Sequence, residues 1–470
     1  MKNILIYSLI LAVVASSCNV LDQVSPSQVN TSSVFNNAAG AESAVIGMYS
    51  SMQSNYYYGG YFPLLSDVYS DVSRAGGFNV TALDEIATYQ VSTGNILVQN
   101  MYVAMYYTIA AANGIIANVP GIKDPTFTQA QKDSLVGQAY AVRAMAHFDL
   151  LRMFGQHWDQ SSIYGVPVVT TVQNYNSLTP RSTVAQTYQA IINDLQQANS
   201  LLPHSKPYLN EYINPDAVQA LLARVYLYKK DYANAIAAAN QVISDGSFNL
   251  LGPGNFTQIY STKLSNESVF ELVFNVQNQS AYNSYTYSRT QALVTEVLFL
   301  ADTTMNIYYT NHPADLRAQL VDFSAATESN FLPFGRTQKY RGEINKDNSA
   351  YVVRMAEVYL IRAEAKALSG DAAGGLADLN AVRTNRGLPA FTNADITTTY
   401  GGDFLAAVLD ERFSELNFEG HRMFDLARTQ RRSKILNGSG ADDYTDIFPI
   451  PNRELVAINN PSVMFQNPGY

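Results

Sequence analysis

A mainly α-helical fold, a helical-repeat scaffold with long loop insertions and minor β structure, is what this 470-residue sequence predicts. Three observations lead there. Apolar residues recur with a helical period over most of the chain, while strand-like alternation is scarce. Pairs of candidate helices carry small residues at regular offsets. Cys18 is the single cysteine, so no internal disulfide forms and the body must be held by its core, which a chain of this size can bury.

The chain opens with Lys2 near its start, the apolar run Ile4 to Ala15, then Ser16, Ser17 and Cys18. This is the layout of a secretory signal peptide. The run is shorter than the ~20 residues a spanning helix needs. A cysteine directly after small residues predicts a lipoprotein signal over residues 1–17 with Cys18 as the lipidation site, although Ala15 stands where such signals more often have Leu. Residues 18–37, rich in Ser, Asn and Gln, read as a lipidated tether. Residues 38–470 read as one domain, with a helical part to about 247 and an insertion plus C-terminal part from about 248.

Helices are expected over Ala38–Met52, Ile96–Asn118, Thr128–Phe154, Val184–Leu201, Pro215–Lys229, Tyr232–Ser244, Val352–Leu368, Ala372–Arg386 and Gly402–Phe418. Asn214-Pro215 is a helix start, with Pro suited to the first turn. Gly387 and Pro389 mark a helix end. The best strand is Glu267–Val276, where apolar residues alternate. Ala223, Tyr226, Ala235, Ala239 and Val242 fall at tetratricopeptide-repeat offsets. Ala363, Leu379 and Val382 repeat the plan, with Gly375 replacing the usual Ala, and Gln138–Phe154 supplies a third partner. Separation of the repeats by more than 100 residues implies insertions, at Tyr56–Asn95, Gln156–Arg181 and Phe248–Tyr351. Irregular segments on a rigid scaffold are where binding usually sits.

The net charge of −9 and the lack of a long basic run exclude general nucleic-acid binding. The five histidines show no metal-ligand spacing, and nucleophile-elbow, phosphate-loop and dinucleotide motifs are missing, so no metal, cofactor or catalytic residue is expected. Glu411–Arg428 concentrates four carboxylates, three arginines and a histidine. Glu415, Glu419 and His421 would be its metal or acid–base set. The preferred reading is structural, with ion pairs at helix spacing and Arg422 pairing Asp425 across a break at Gly420. A carboxylate pair for glycoside hydrolysis stays open, because its ~5–9 Å separation depends on the fold.

Tyrosine is abundant, at 32 residues against one tryptophan. Ser54–Tyr61 packs four tyrosines beside Gly59 and Gly60, and Arg74, Phe78 and Asn79 follow. A second cluster, Asn278–Arg289, carries Tyr282, Tyr285 and Tyr287. A sugar has an apolar C–H face and a rim of hydroxyls, so its site needs flat rings beside amides and guanidinium groups. Tyr57, Tyr58, Tyr61, Arg74, Phe78, Asn79, Tyr282, Tyr285 and Tyr287 are therefore the candidate glycan-binding residues. The competing reading packs these rings against the scaffold or a partner.

Several segments taken in order resemble the SusD/RagB family of outer-membrane nutrient-binding lipoproteins. They are Cys18–Asp22, Met105–Asn113, Gln138–Gly155 with Tyr164–Val168, Glu357–Ala365 with Leu379–Arg383, Ile447–Pro451 and Gln466–Tyr470. The strongest is Glu411–Arg428, there a signature of the fold. Tyr102 departs from the pattern, standing where the family often has Trp. The resemblance implies a non-enzymatic protein, anchored by lipid to the outer-membrane surface of a Gram-negative, Bacteroidetes-type cell. It implies an oligosaccharide or polysaccharide ligand, contacted by the two tyrosine regions, and a SusC-like TonB-dependent transporter as partner. A peptide or other nutrient as cargo, and an exported glycoside hydrolase, are the alternatives.

Overall fold

In the computed structural model the described residues are 34–76, 81–174, 177–286, 298–324, 335–341, 345–436 and 443–470. From the N-terminus, α1 (Ala38–Met52) leads to α2 (Tyr61–Val68), β1 (Ser73–Gly76) and α3 (Thr81–Ala87). Three long helices follow, α4 (Ile96–Asn118), α5 (Gln129–Phe154) and α6 (Val184–Leu201), then the pair α7 (Pro215–Tyr228) and α8 (Tyr232–Asp245). The long insertion carries α9 (Gln258–Ser261), β2 (Ser268–Leu272), α10 (Tyr282–Thr286), β3 (Leu298–Ala301), α11 (Thr303–Asn311), β4 (Val321–Asp322), β5 (Arg336–Thr337) and β6 (Ala350–Arg354). The chain closes with α12 (Met355–Leu368), α13 (Ala372–Asn385), α14 (Asn393–Tyr400), α15 (Phe404–Glu415), α16 (Arg422–Arg428), α17 (Arg432–Ile435) and α18 (Asn452–Ile458). The fold is mainly helical, and its strands form short antiparallel pairs, β1 with β3, β2 with β6 and β4 with β5.

The long helices begin where local chemistry starts them. Thr128 and Thr183 each form a reciprocal capping box, with Gln131 and Gln186, that satisfies backbone donors of the first turn. α5 lies between α4 and α6, and from Val136 to Phe154 almost every residue is buried. That burial explains why its sequence shows no one-sided apolar stripe. α7 packs on α8, α12 on α13, and α8 on α12, so repeats distant in sequence stack directly. Ala223, Ala235, Ala239, Ala363, Leu379 and Val382 are all fully buried at these contacts. At Gly375 a Cβ would lie 2.7 Å from the Ala363 carbonyl oxygen, so the close approach of α13 to α12 requires the glycine.

The expected helix at Val352–Leu368 is a strand up to Arg354 and a helix from Met355. β-branched Val352 and Val353 favour the strand, and pairing with β2 completes it. β2 differs too, because all five of its residues are buried, so its pattern is two-sided. The insertions contain short helices, among them α2, α3 and α11, that lack enough turns to show a period in sequence.

The Glu411–Arg428 signature forms ion pairs; Asp425 and Arg428 pair at helix spacing, but Glu411, Glu415 and Arg422 find partners elsewhere in the chain. Glu411 binds Arg317 and Arg383; Glu415 binds Arg317, Arg354 and Arg386. Glu419 pairs with Lys339 and Arg354, and Glu267 with Arg354 and Arg386. Arg422 pairs with Asp71, not Asp425, and Asp425 pairs with Arg412 and Arg428. Burial disfavours the charged Glu415 carboxylate, but Arg386 and Arg354 outweigh that and hold its pKa well below the usual carboxylate range. Burial keeps His421 neutral, its pKa far below that of ordinary histidine. These buried charges knit the insertion to the C-terminal helices. The C-terminus closes onto the other half, where Arg181 donates to the Phe465 carbonyl and to Asn467 Oδ1.

Candidate ligand-binding site

The two tyrosine segments meet. After α1, the Ser54–Tyr61 turn carries Gly59 and Gly60, and the residues entering α10 run against it. The Ala281 N–H donates to the Gly59 carbonyl at 2.8 Å. A Cβ on Gly60 would come within 2.9 Å of Ala281 Cβ, which leaves no room for a side chain there. Asn278 donates to Gln53 Oε1 at 2.8 Å, and Gln53 donates to the Val273 carbonyl at 2.7 Å.

The rings divide into two layers. Tyr57 and Tyr58 are buried, and both hydroxyls donate to Asp149 Oδ2, at 2.6 and 3.0 Å. Asp149 also pairs with Arg152, whose guanidinium lies 4.2 Å from the Phe424 ring centre. Tyr282 is buried, donates to the Tyr58 carbonyl at 2.6 Å and stacks on Tyr340 at 4.5 Å. Tyr57, Tyr58 and Tyr282, expected as platforms, thus have their faces covered and support the surface from beneath. Two carboxylate-bound hydroxyls and a guanidinium below them fix which rings turn inward.

Tyr56, Tyr61 and Tyr285 form the upper, half-buried layer. Tyr56 stacks on Tyr61 with centroids 5.5 Å apart and planes 18° from parallel. Tyr285 lies 5.2 Å from Tyr61 and donates to its hydroxyl at 3.2 Å. Burial raises the Tyr61 hydroxyl pKa, so the group stays a neutral donor and acceptor. Phe299 of β3 meets Tyr285 edge-on at 5.6 Å and holds the group from the side. Exposed Asn55 donates to the Tyr285 hydroxyl at 3.3 Å, and exposed Asn278 is bonded to Gln53 just before the same turn. The result is a short aromatic surface bordered by amides, which suits the C–H face and hydroxyl rim of a sugar.

Arg74 is exposed on β1, opposite Leu300, whereas Phe299 pairs with Ala75. Adjacent strand residues face opposite ways, so Arg74 lies on the far face of this ribbon from Phe299. Phe78, Asn79, Tyr287 and Cys18 fall outside the described residues. Tyr56 and Asn55 are members that sequence reasoning did not single out. No local period distinguishes Tyr56 from Tyr57 in a turn, and the deciding contact, Asp149, lies 92 positions away from Tyr57. Among the described residues no group of three His, Cys, Asp or Glu side chains is placed to hold a metal ion. Among them, too, no helix is long and apolar enough to cross a membrane.

Two family profiles match the chain: one described as "Starch-binding associating with outer membrane", over residues 17–227, and one described as "SusD family", over residues 327–470. SusD-like protein P2 of Formosa agariphila is 23% identical over the full length of both chains. Among solved structures, a SusD superfamily protein from Bacteroides thetaiotaomicron superposes with a TM-score of 0.78 at 25% identity, covering 92% of this chain and 99% of that one. A SusD superfamily protein from Bacteroides vulgatus also gives 0.78, at 27% identity, covering 92% and 99%. A laminarin-binding SusD-like protein shares the fold with a TM-score of 0.75 at 23% identity, covering 93% and 100%.

Proposed function

The chain belongs to the SusD/RagB family, and from that premise we propose that it is a lipid-anchored, non-enzymatic protein of the outer-membrane surface that captures an oligosaccharide and passes it to a SusC-like TonB-dependent transporter. The observation that carries the reading is the half-buried surface of Tyr56, Tyr61 and Tyr285 with Asn55 bonded at its edge. Stacked rings and neutral amides bind hydroxylated ligands without demanding charge. The described residues that build this surface include no carboxylate, so they are equipped to hold a glycosidic bond rather than to break it. Modest contacts of this kind also suit hand-over, because very tight capture slows release. Laminarin, bound by one of the structural relatives, is the first ligand to try.

The test uses protein beginning at Asn19, run in native gels containing laminarin, an α-glucan or an acidic polysaccharide, beside a peptide-library screen and an assay for released reducing sugar. Retardation by at least one polysaccharide without sugar release supports the proposal. Peptide binding with no retardation, or release of reducing sugar, overturns it.

A further inference from the structure

A cleft of about 710 Å³ is lined in part by Asn345 and Asn348, to which the segment leading into Tyr285 is bonded. Its size lies in the range of small-molecule sites, room for roughly two to four sugar rings. Tyr260 and Tyr351 line it edge to face, with centroids 5.3 Å apart and planes at 88°; Tyr351 is buried and stacks on Tyr340, so half-buried Tyr260 presents the more open ring. The Tyr260 ring is anchored from behind: its hydroxyl donates to Glu419 at 3.2 Å, and Lys339 Nζ lies 4.9 Å from its centre.

The walls are chiefly polar and include Arg341. Thr257, Ser261, Gln338 and Asn345 line the cleft, and their side chains make no hydrogen bond to the described protein. The Lys263 ammonium is already committed, at 2.5 Å to Asp347 and 2.8 Å to the Phe274 carbonyl. Rings at a right angle, amides and hydroxyls without protein partners, a neutralised Lys263–Asp347 pair and the donor-rich Arg341 are the chemistry of a site for a hydroxyl-rich ligand.

Three consecutive residues join this cleft to the tyrosine surface. Gln279 donates to the Asn345 carbonyl at 2.9 Å, and Ser280 donates through its N–H to Lys346 at 3.1 Å and through its hydroxyl to Asn348 at 2.7 Å. Ala281 then donates to Gly59 of the tyrosine turn. The two recesses are therefore held in fixed relation by one short segment.

We propose that the Tyr260–Tyr351 cleft is a second saccharide subsite, which holds further sugar units of the chain bound at Tyr61 and Tyr285. The inference rests on the carbohydrate reading above. Two linked sites bind a chain long enough to reach both more tightly than either alone. Affinity should therefore climb with chain length beyond what the tyrosine surface by itself accounts for.

The test is calorimetric titration of a neutral oligosaccharide length series, trimer to decamer, drawn from the polysaccharide that retards the protein. Unmodified protein is compared with the cleft double variant Gln338→Ala/Asn345→Ala and the surface double variant Tyr61→Ala/Tyr285→Ala, with melting temperature as the folding control. The cleft variant is expected to lose about tenfold in affinity for the decamer and to flatten the dependence on length. If the folded cleft variant binds the decamer as the unmodified protein does, the subsite is refuted while the tyrosine surface stands. If a cleft variant misfolds, saturation-transfer NMR of the unmodified protein decides the matter: ligand contact at the Tyr260 or Tyr351 ring supports the subsite and contact confined to Tyr61 and Tyr285 refutes it. If no glycan in the panel binds unmodified protein, the carbohydrate reading itself fails.

Discussion

Tyr285 donates a hydrogen bond to the Tyr61 hydroxyl at 3.2 Å across 224 positions of sequence, and this bond pins two distant segments into one surface. Directly below, Tyr57 and Tyr58 share one oxygen of Asp149. Neighbouring tyrosines of a single turn thus do different jobs. The upper rings offer surface and the lower rings hold it in place.

Tyr57→Ala is accordingly expected to unfold the protein more readily without acting on the ligand directly. Loss of a fully buried aromatic side chain costs about 3–5 kcal/mol, and Asp149 loses one of its donors. Denaturant unfolding followed by circular dichroism measures the change. A variant as stable as its parent would show that the inner ring bears no structural load.

Glu415→Gln should destabilise the chain by about 3–5 kcal/mol, since it removes the charge shared by buried Arg317, Arg354 and Arg386. Affinity for a trimer held at the tyrosine surface, measured on the folded fraction, is expected to stay the same, because Glu415 bonds Arg317, Arg354 and Arg386; longer chains also meet Tyr260, which is anchored on Glu419 of the same network. A loss of binding with full stability would point instead to a functional role for this signature.

Asp67 provides a pH test. Burial raises its pKa to about 7, and the Gly420 N–H that it accepts only partly opposes this. The ordinary value in the unfolded chain is near ~3.9. Between those values the folded protein keeps a proton that the unfolded chain has lost, so stability falls as pH rises through the interval. Asp216, raised to about 7 by burial and by Asp245, acts in the same sense, so only comparison with a variant isolates Asp67. Asp67→Asn should gain about 2–4 kcal/mol on its parent between pH 5 and pH 8. Stability curves that run parallel over that range would contradict the assignment.

The long helices were legible because their determinants are local. Asn37 and Asn95 cap α1 and α4 with their own side chains, and the bounds of both helices match the apolar periodicity. What stayed hidden depends on distant partners. Arg354 ends a strand instead of sitting inside a helix, with its guanidinium drawn to Glu267, Glu415 and Glu419. Likewise, composition marked the Ser54–Tyr61 turn as the place of interest, but only contact with Asp149 and Tyr285 decides which of its rings face outward.

The most direct measurement is titration of the retarding polysaccharide into Tyr61→Ala/Tyr285→Ala beside the unmodified protein. Both rings are half-buried, so melting temperature should drop by only a few degrees. The account requires affinity to fall at least about tenfold, as expected when two stacking platforms worth ~1 kcal/mol or more each are removed. A correctly folded double variant that binds as tightly as its parent would contradict the central claim that this surface captures the glycan.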